Sequence, residues 1–252
     1  MHRRTFFLTL ASLAASSNAA YADDNFFKKL FGSLKKQARS GNLQAINDRS
    51  LGGLSLLDAD RGLRTALNIG IDAVVAQLGA PGGFFDDGKI QIPLPKTLRK
   101  ARKLAKPMGM AGPFDNLQER MNRGAEAAMP KGKAILKQAV TSMSVEDAIG
   151  IVRGPDDSAT QYLRRTMEPS LITAFSPVIR STLDSSGALS AGSSLAEKYA
   201  MGKYADKAGD KLTQHVVKGA LKGSFYYLAE QERTIRANPG DFGSQLLRRV
   251  FG

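Results

Sequence analysis

The sequence of 252 residues contains no cysteine and no tryptophan, and its only histidines are His2 and His215. Without cysteine the chain cannot form a disulfide, a thiolate nucleophile, a cysteine-ligated zinc site, an iron–sulfur cluster or a lipid attachment through an N-terminal cysteine. With so few imidazoles, a site built from several histidine ligands is excluded as well. The chemistry left to the chain is that of carboxylates, arginines and hydroxyl groups, so we expect no metal site and no cofactor.

The balance of the remaining residues is that of a folded globular protein. Hydrophobic residues make up 42% and charged residues 23% of the chain, which is ordinary for a soluble domain. Lysine and arginine number 36 against 23 acidic residues, giving a formal net charge of +13. An excess of this size directs attention to anionic partners.

The first 22 residues are typical of an export signal. Basic residues 1–4 precede an apolar stretch over 5–15, and residues 20–22 form an A-x-A cleavage site. The apolar stretch is too short to cross a bilayer, which takes about 20 residues. We therefore expect cleavage after Ala22, a periplasmic location, no transmembrane helix in the mature chain and no lipoprotein.

The two arginines at the start of the signal leave the export route open. Arg3 and Arg4 suit a twin-arginine signal as well as a general secretory signal. Cleavage after Ala22 removes both arginines and no acid, so the mature chain carries 13 − 2 = +11.

Residues 23–56 are predicted to be a basic amphipathic helix and a linker. Within 25–38 the aromatic and leucine residues fall on one side of a helix and the lysines on the other. Such a helix docks either on the protein's own core or on an anionic membrane surface. The membrane-surface candidates of this segment are Phe27, Lys28, Lys29, Phe31, Lys35 and Lys36.

Residues 57–252 are predicted to form a single compact all-α domain of about 9–10 helices. Apolar residues recur there at helical spacing, with capping signals between them. The expected helices are 58–79, 96–106, 114–128, 131–141, 145–152, 157–183, 189–208, 211–237 and 241–250. Pro169 and Pro177 should break or kink the helix at 157–183 into shorter pieces. Residues 81–95 form the longest irregular loop, which is either functional or packed as a lid.

Several motifs of this region occur in the order found in one bacterial family. They are Gly79-x-Pro81-Gly82-Gly83-Phe84, Ile92-Pro93-Leu94-Pro95, Met121-Asn122-Arg123-x-Ala125-Glu126, Met143-Ser144-x-Glu146-Asp147-Ala148, Asp156-Asp157-x-Ala159-Thr160-x-Tyr162-Leu163-Arg164-Arg165-Thr166, Gly223-x-Phe225-Tyr226-Tyr227-x-Ala229-Glu230, Ile235-Arg236-x-Asn238-Pro239 and Leu246-Leu247-x-x-Val250-Phe251-Gly252. Together they resemble the bacterial domain-of-unknown-function 4197 family. The resemblance implies an exported helical envelope protein and carries no established activity, ligand or catalytic residue.

This chain departs from the family pattern at two points. Some members of the family resemble lipoproteins, and this chain has no cysteine to lipidate. The family's Asn-Arg-Ala-Ala-Glu has glycine at position 124 here, and Gly124 either weakens the helix or allows close packing.

The polar residues of these motifs are the candidate ligand-binding residues. If their helices meet, they form either a buried arginine–carboxylate network that fixes the helix register or an anion-binding cleft built from Arg123, Arg164 and Arg165. The full candidate set is Asn122, Arg123, Glu126, Asp156, Asp157, Thr160, Tyr162, Arg164, Arg165, Tyr226 and Glu230.

Catalysis has weaker support than binding. Glu126 paired with Asp157 or Glu230 would suit a glycan hydrolase that uses two carboxylates, but almost any helical protein contains such residues. After cleavage His215 is the sole imidazole, and we expect it at a helix surface or core edge rather than in a catalytic triad. Residues 86–88 lack the alternating ligands of a calcium loop and indicate a turn.

The densest basic cluster lies on the helix at 96–106. The basic face of this helix either binds lipid phosphates or is simply exposed to solvent. Its membrane-surface candidates are Lys96, Arg99, Lys100 and Lys103. An export signal, scattered basic residues elsewhere and the absence of a known docking motif argue against nucleic acid as a partner. We therefore expect a non-enzymatic periplasmic protein that binds an envelope component, either an anionic membrane surface or a small apolar or anionic ligand. A glycan hydrolase and a subunit of an envelope complex are the alternatives, and the oligomeric state is left open.

Overall fold

The structure is a computed structural model that describes residues 56–199, 208–242 and 250. These residues form seven α-helices and contain no strand, which confirms the predicted all-α fold. The helices are α1 (Leu56–Leu78), α2 (Lys96–Ala105), α3 (Gly112–Ser142), α4 (Val145–Arg153), α5 (Ser158–Ser185), α6 (Ala188–Tyr199) and α7 (Ala208–Ala237). Short 3-10 helices at Lys106–Met108 and Pro239–Phe242 follow α2 and α7. The predicted signal, the helix at 25–38, the linker and parts of 189–208 and 241–250 lie outside the described residues.

The three longest helices, α3, α5 and α7, build most of the core. Each buries one apolar stripe against the other two, as amphipathic helices must in order to remove that stripe from water. The largest core side chains include Phe114, Phe175 and Phe225, each of which is at most 2% exposed. Helix α1 packs on α3, α7 and α4, and α6 packs on α7, α3 and α5.

Two of the long helices run through prolines. Helix α3 joins the predicted helices 114–128 and 131–141 across Pro130, and α5 passes Pro169 and Pro177 unbroken, so the predicted division of α5 is wrong. All three proline rings lie on the exposed side of their helix. Burial of the opposite face outweighs the local cost, which is about 3 kcal/mol per proline.

Residues 79–95, which we call the strap, connect α1 to α2 and lie across α7. Phe84, Ile92 and Leu94 of the strap are almost fully buried. Glycines of α7 make room for them: a Cβ on Gly223 would lie 2.7 Å from Phe84 Cε1, and a Cβ on Gly219 would lie 2.8 Å from Ile92 Cγ1. The long loop is thus anchored to the domain by buried side chains at several points.

Candidate functional site

Glu126 of α3 holds the strap by its backbone. Its Oε1 accepts hydrogen bonds from the N–H groups of Phe84 and Phe85, at 3.1 and 3.2 Å. Its Oε2 accepts a hydrogen bond from Arg123 Nη1 at 2.9 Å. That hydrogen bond raises the pKa of Arg123, whose guanidinium also lies 3.5 Å from Glu119. Both oxygens of this buried carboxylate are therefore engaged, and the residue fastens the strap to α3.

Asn122, one turn earlier on α3, binds the strap at Ile92. Its Oδ1 accepts from the Ile92 N–H at 2.8 Å, and its Nδ2 donates to the Ile92 carbonyl at 3.0 Å. The side chain is fully buried. A primary amide offers a donor and an acceptor on one planar group, so Asn122 pairs with the strap as a neighbouring strand would. At the same end, His215 Nε2 donates to the Pro93 carbonyl at 2.7 Å, a position at the core edge.

Tyr227 of α7 holds the middle of the strap. Its hydroxyl donates to Asp87 Oδ2, and the other oxygen of Asp87 accepts from the Lys89 N–H at 2.8 Å. Burial raises the pKa of Tyr227, and the neighbouring Asp87 carboxylate raises it further. The predicted turn at 86–88 is therefore tied to α7. Tyr226, by contrast, is exposed and contacts Tyr227 edge to face, with 5.2 Å between ring centres.

A second buried carboxylate, Glu232 of α7, caps the first turn of α5. Its oxygens accept from the N–H groups of Ala159 and Thr160 and from Thr160 Oγ1, each at 2.9 Å. Arg236 forms an ion pair with it at 3.0 Å and donates to the Ile151 carbonyl at 2.8 Å. A carboxylate at this position also compensates the positive end of the helix dipole. Thr160 is the only member of this cluster in the predicted set.

Sequence reasoning missed Glu232 and Arg236 as site residues, although the sequence carries a signal for them. Glu232 comes four residues after Leu228, within the apolar face predicted for the helix at 211–237, and Arg236 follows four residues later. Residues at this spacing share a helix face. An opposite-charge pair inside an apolar stripe indicates a buried ion pair.

The remaining predicted residues lie on exposed or half-exposed surfaces. Asp157 Oδ1 accepts from Gln161 Nε2 at 2.8 Å, and Glu230 pairs with Arg233 on its own helix. The other four, namely Asp156, Tyr162, Arg164 and Arg165, lie in or beside the first turns of α5. Within the described residues, no hydrogen bond or ion pair joins these residues to Arg123 or Glu126.

Two of the three arginines proposed for an anion-binding cleft lie against aromatic rings. Arg164 lies over the Phe225 ring at 4.9 Å, and Arg165 lies 5.9 Å from the centre of the Tyr162 ring. An open cleft of about 290 Å³ beside Arg165 is lined by Glu146, Asp147, Gly150, Ile151, Ser158, Gln161, Tyr162 and Arg165. It contains one of the three arginines and two acids. Of the predicted polar residues, Asn122 and Glu126 belong to a buried network at the strap, and Thr160 belongs to another at the start of α5.

A cavity of about 20 Å³ lies between α1, α5 and α7 beside Gln231. This volume suits a single water molecule, and its lining is almost entirely apolar. In the described ranges we find no group of three or more His, Asp or Glu residues that could hold a metal ion.

Helix α2 carries a dense set of exposed basic residues. Leu98, Ala101 and Ala105 are buried against the domain, and the opposite face exposes the predicted residues Lys96, Arg99, Lys100 and Lys103. None of these four side chains forms an ion pair with another described residue. The residues from Gly88 to Phe114 include seven lysines and arginines and no acid. The other predicted membrane-surface residues, between 27 and 36, lie outside the described ranges.

A family model described as protein of unknown function (DUF4197) matches residues 53–252. The chain belongs to this family. The match includes every described helix, and it confirms the resemblance seen in the sequence motifs. No curated protein and no solved structure matches the chain.

In this DUF4197 domain, several of the motifs that carry the family resemblance take part in the buried contacts described above. The glycine–proline motif at 79–84 and the motif at 92–95 are the two ends of the strap, and Asn122 and Glu126 fasten those ends to α3. The motif at 156–166 begins the helix that Glu232 caps. No helix of the described ranges is long and apolar enough to cross a membrane.

Proposed function

We propose that this DUF4197 protein is exported to the periplasm and binds an anionic membrane surface peripherally through α2. The observation that carries the proposal is the face formed by Lys96, Arg99, Lys100 and Lys103, which is exposed and has no acidic partner among the described residues. We call it the basic face. Export is supported by the signal-like pattern of residues 1–22.

The geometry of the basic face suits a planar array of phosphates. At about 100° per residue, its four side chains fall within about 100° of the helix circumference, directly opposite the buried stripe. A helix docked by its apolar stripe on the domain presents its other side outward without rearrangement. Each cation near an anionic surface contributes on the order of 1 kcal/mol, so four give a weak, reversible and salt-sensitive association.

The engaged state of Glu126 supports binding rather than glycan hydrolysis. A general acid or nucleophile needs a carboxyl oxygen that can reach a substrate, and both oxygens of Glu126 are taken by the strap and Arg123. Asp157 and Glu230 lie in neither buried network and share no contact with Glu126 in the described residues.

Vesicle co-sedimentation tests the proposal. The full chain should sediment with phosphatidylglycerol-containing vesicles, should not sediment with pure phosphatidylcholine vesicles, and should be released by salt well above physiological ionic strength. A variant with Lys96→Gln, Arg99→Gln, Lys100→Gln and Lys103→Gln should lose binding.

A second quadruple variant provides a charge-matched control. Arg61→Gln, Lys131→Gln, Arg153→Gln and Lys218→Gln remove the same charge from exposed positions on α1, α3, α4 and α7. This control should bind as the unmodified chain does. Equal losses in the two variants would assign binding to diffuse charge, and equal sedimentation with neutral vesicles would overturn the proposal.

A further inference from the structure

Beside the basic face, the end of α2 exposes large apolar side chains. Leu104 is 75%, Met108 65% and Met110 45% exposed. They account for three of the seven large apolar residues that are exposed in the described part of the chain. Clustered exposure of this kind marks an interaction surface, whereas single exposed apolar residues do not. We call Leu104, Met108 and Met110 the apolar tip.

The backbone of the apolar tip is held in place by the end of α2. The Met110 N–H donates to the Ala105 carbonyl and the Gly109 N–H to the Lys106 carbonyl, each at 3.1 Å. Gly109 takes a left-handed φ of 72°, and a Cβ built there has no neighbour within 4 Å. The chain therefore turns back at Gly109 in open space and keeps Met110 at the end of the helix.

The positive charge around the apolar tip favours an anionic lipid surface as its partner. Leu104 lies about 40° around the helix from Lys100, and Lys103 and Lys106 flank it in the sequence. Exposed apolar side chains next to lysines, with no acid from Gly88 to Phe114, are the pattern of a segment that rests on anionic lipid with its apolar side chains in the acyl boundary. A second copy of this positively charged surface would repel the first.

We infer that the apolar tip inserts into the membrane when the basic face contacts lipid phosphates, which makes α2 and its following turn a lipid-insertion element. The inference rests on the proposed function. The lysines supply the salt-sensitive attraction, and the apolar tip supplies a part of the affinity that salt does not screen. The flexible thioethers of Met108 and Met110 adapt to disordered acyl chains.

The absence of tryptophan allows a direct test of insertion. In a Leu104→Trp variant the new indole is the sole tryptophan of the chain. Its emission should shift to shorter wavelength on phosphatidylglycerol vesicles and be quenched by brominated acyl chains. Ile172→Trp on α5, at a position 42% exposed, is the matched control and should show neither change. Sedimentation of Leu104→Trp without a shift would overturn the inference and leave the basic-face proposal intact.

A second variant measures the contribution of the apolar tip to affinity. Leu104→Ser with Met108→Ser and Met110→Ser should weaken binding to anionic vesicles by on the order of tenfold or more without changing the dependence on salt. These side chains are exposed, so the urea midpoint should stay close to that of the unmodified chain. Unchanged affinity would overturn the inference, as would a dimer of the unmodified chain that the serine variant dissociates without loss of vesicle binding. Failure of the unmodified chain to bind any vesicle would overturn both proposals.

Discussion

Glu230 and Glu232 lie two residues apart on α7 and have opposite surroundings. Glu230 is half-exposed, and among the described residues its side chain pairs with Arg233 on its own helix. Glu232 has a side chain 7% exposed and accepts the free N–H groups at the start of α5. The sequence pointed to Glu230 because it ends a recognisable motif, but the buried hydrogen bonds are made by Glu232.

We therefore expect Glu232→Ala to lower the free energy of unfolding by about 3 kcal/mol, because it leaves two buried N–H groups and Arg236 without their carboxylate. Glu230→Ala should change it by less than about 0.5 kcal/mol, as is usual for an exposed pair. Urea unfolding followed by circular dichroism measures both. Equal effects of the two substitutions would contradict the capping role.

Glu126 and Glu119 allow the same comparison at the strap. Both contact Arg123, but only Glu126 also binds the backbone of Phe84 and Phe85. Glu126→Ala should cost about 2–4 kcal/mol of unfolding free energy and expose the strap to proteolysis. Glu119→Ala should cost less than about 1 kcal/mol. Cleavage mapped outside residues 79–95, or no new cleavage, would contradict the assignment of Glu126 as the fastening of the strap.

At the scale of elements, the docking of the strap on α7 depends on small residues. A Cβ at position 223 would meet Phe84 at 2.7 Å and Ile90 at 3.3 Å, whereas a Cβ at Gly150 of α4 has no neighbour within 4 Å. We expect Gly223→Ala to destabilise the domain by about 1–3 kcal/mol through overpacking. Gly150→Ala should stabilise it by about 0.5–1 kcal/mol through helix propensity. Thermal unfolding of both variants checks the signs, and a stabilising Gly223→Ala would mean that the strap is not seated on α7.

An ion-pair cluster between α1 and α3 gives the domain a pH dependence. Burial raises the pKa of Asp72, but hydrogen bonds from Lys133 and Lys137 outweigh this effect and lower it below its usual value. Because the pKa is lowered in the folded state, the contribution to stability is present above about pH 4 and is lost as the pH falls through the folded-state pKa. The Asp72 side chain is 38% exposed, so water screens the pair and the contribution is below about 1 kcal/mol.

The corresponding experiment compares Asp72→Asn with the unmodified chain by urea unfolding across acidic pH. The difference in unfolding free energy should be present at neutral pH and vanish once Asp72 is protonated in both states. A difference that stays constant down to strongly acidic pH would show that the substitution acts through packing.

Helical periodicity predicted the elements better than their connections. The predicted helices at 96–106 and 145–152 agree with α2 and α4 to within one residue, because local spacing alone determines those stripes. The breaks expected at proline failed because burial elsewhere on the same helix outweighs a local rule. The pairing of Glu232 with Thr160 joins residues 72 positions apart, and only tertiary packing determines which of many carboxylates reaches a given helix end.

For the molecule as a whole, net charge alone is a poor guide to the partner. The chain carries +13 overall, and the stretch from Gly88 to Phe114 contributes seven cations without an acid. Some other described cations face acids; Lys133 and Lys137, for example, lie 2.8 Å from Asp72. This stretch includes α2, whose basic face runs along the helix from Lys96 to Lys103, the residue before Leu104 of the apolar tip.

The apolar tip, rather than the positive charge, is what would distinguish a lipid partner from a nucleic acid. Any basic face binds duplex DNA at low salt, but four phosphate contacts lose on the order of a hundredfold in affinity for a fourfold rise in salt. We expect vesicle binding to persist at physiological ionic strength and DNA binding to be lost, since only lipid can accept the apolar tip. In paired titrations the serine variant of the apolar tip should weaken vesicle binding and leave low-salt DNA binding unchanged, while the quadruple glutamine variant of α2 should weaken both. Retention of duplex DNA at physiological salt, more tightly than anionic vesicles, would reverse the order of partners, because it would mean that phosphate contacts alone account for the affinity.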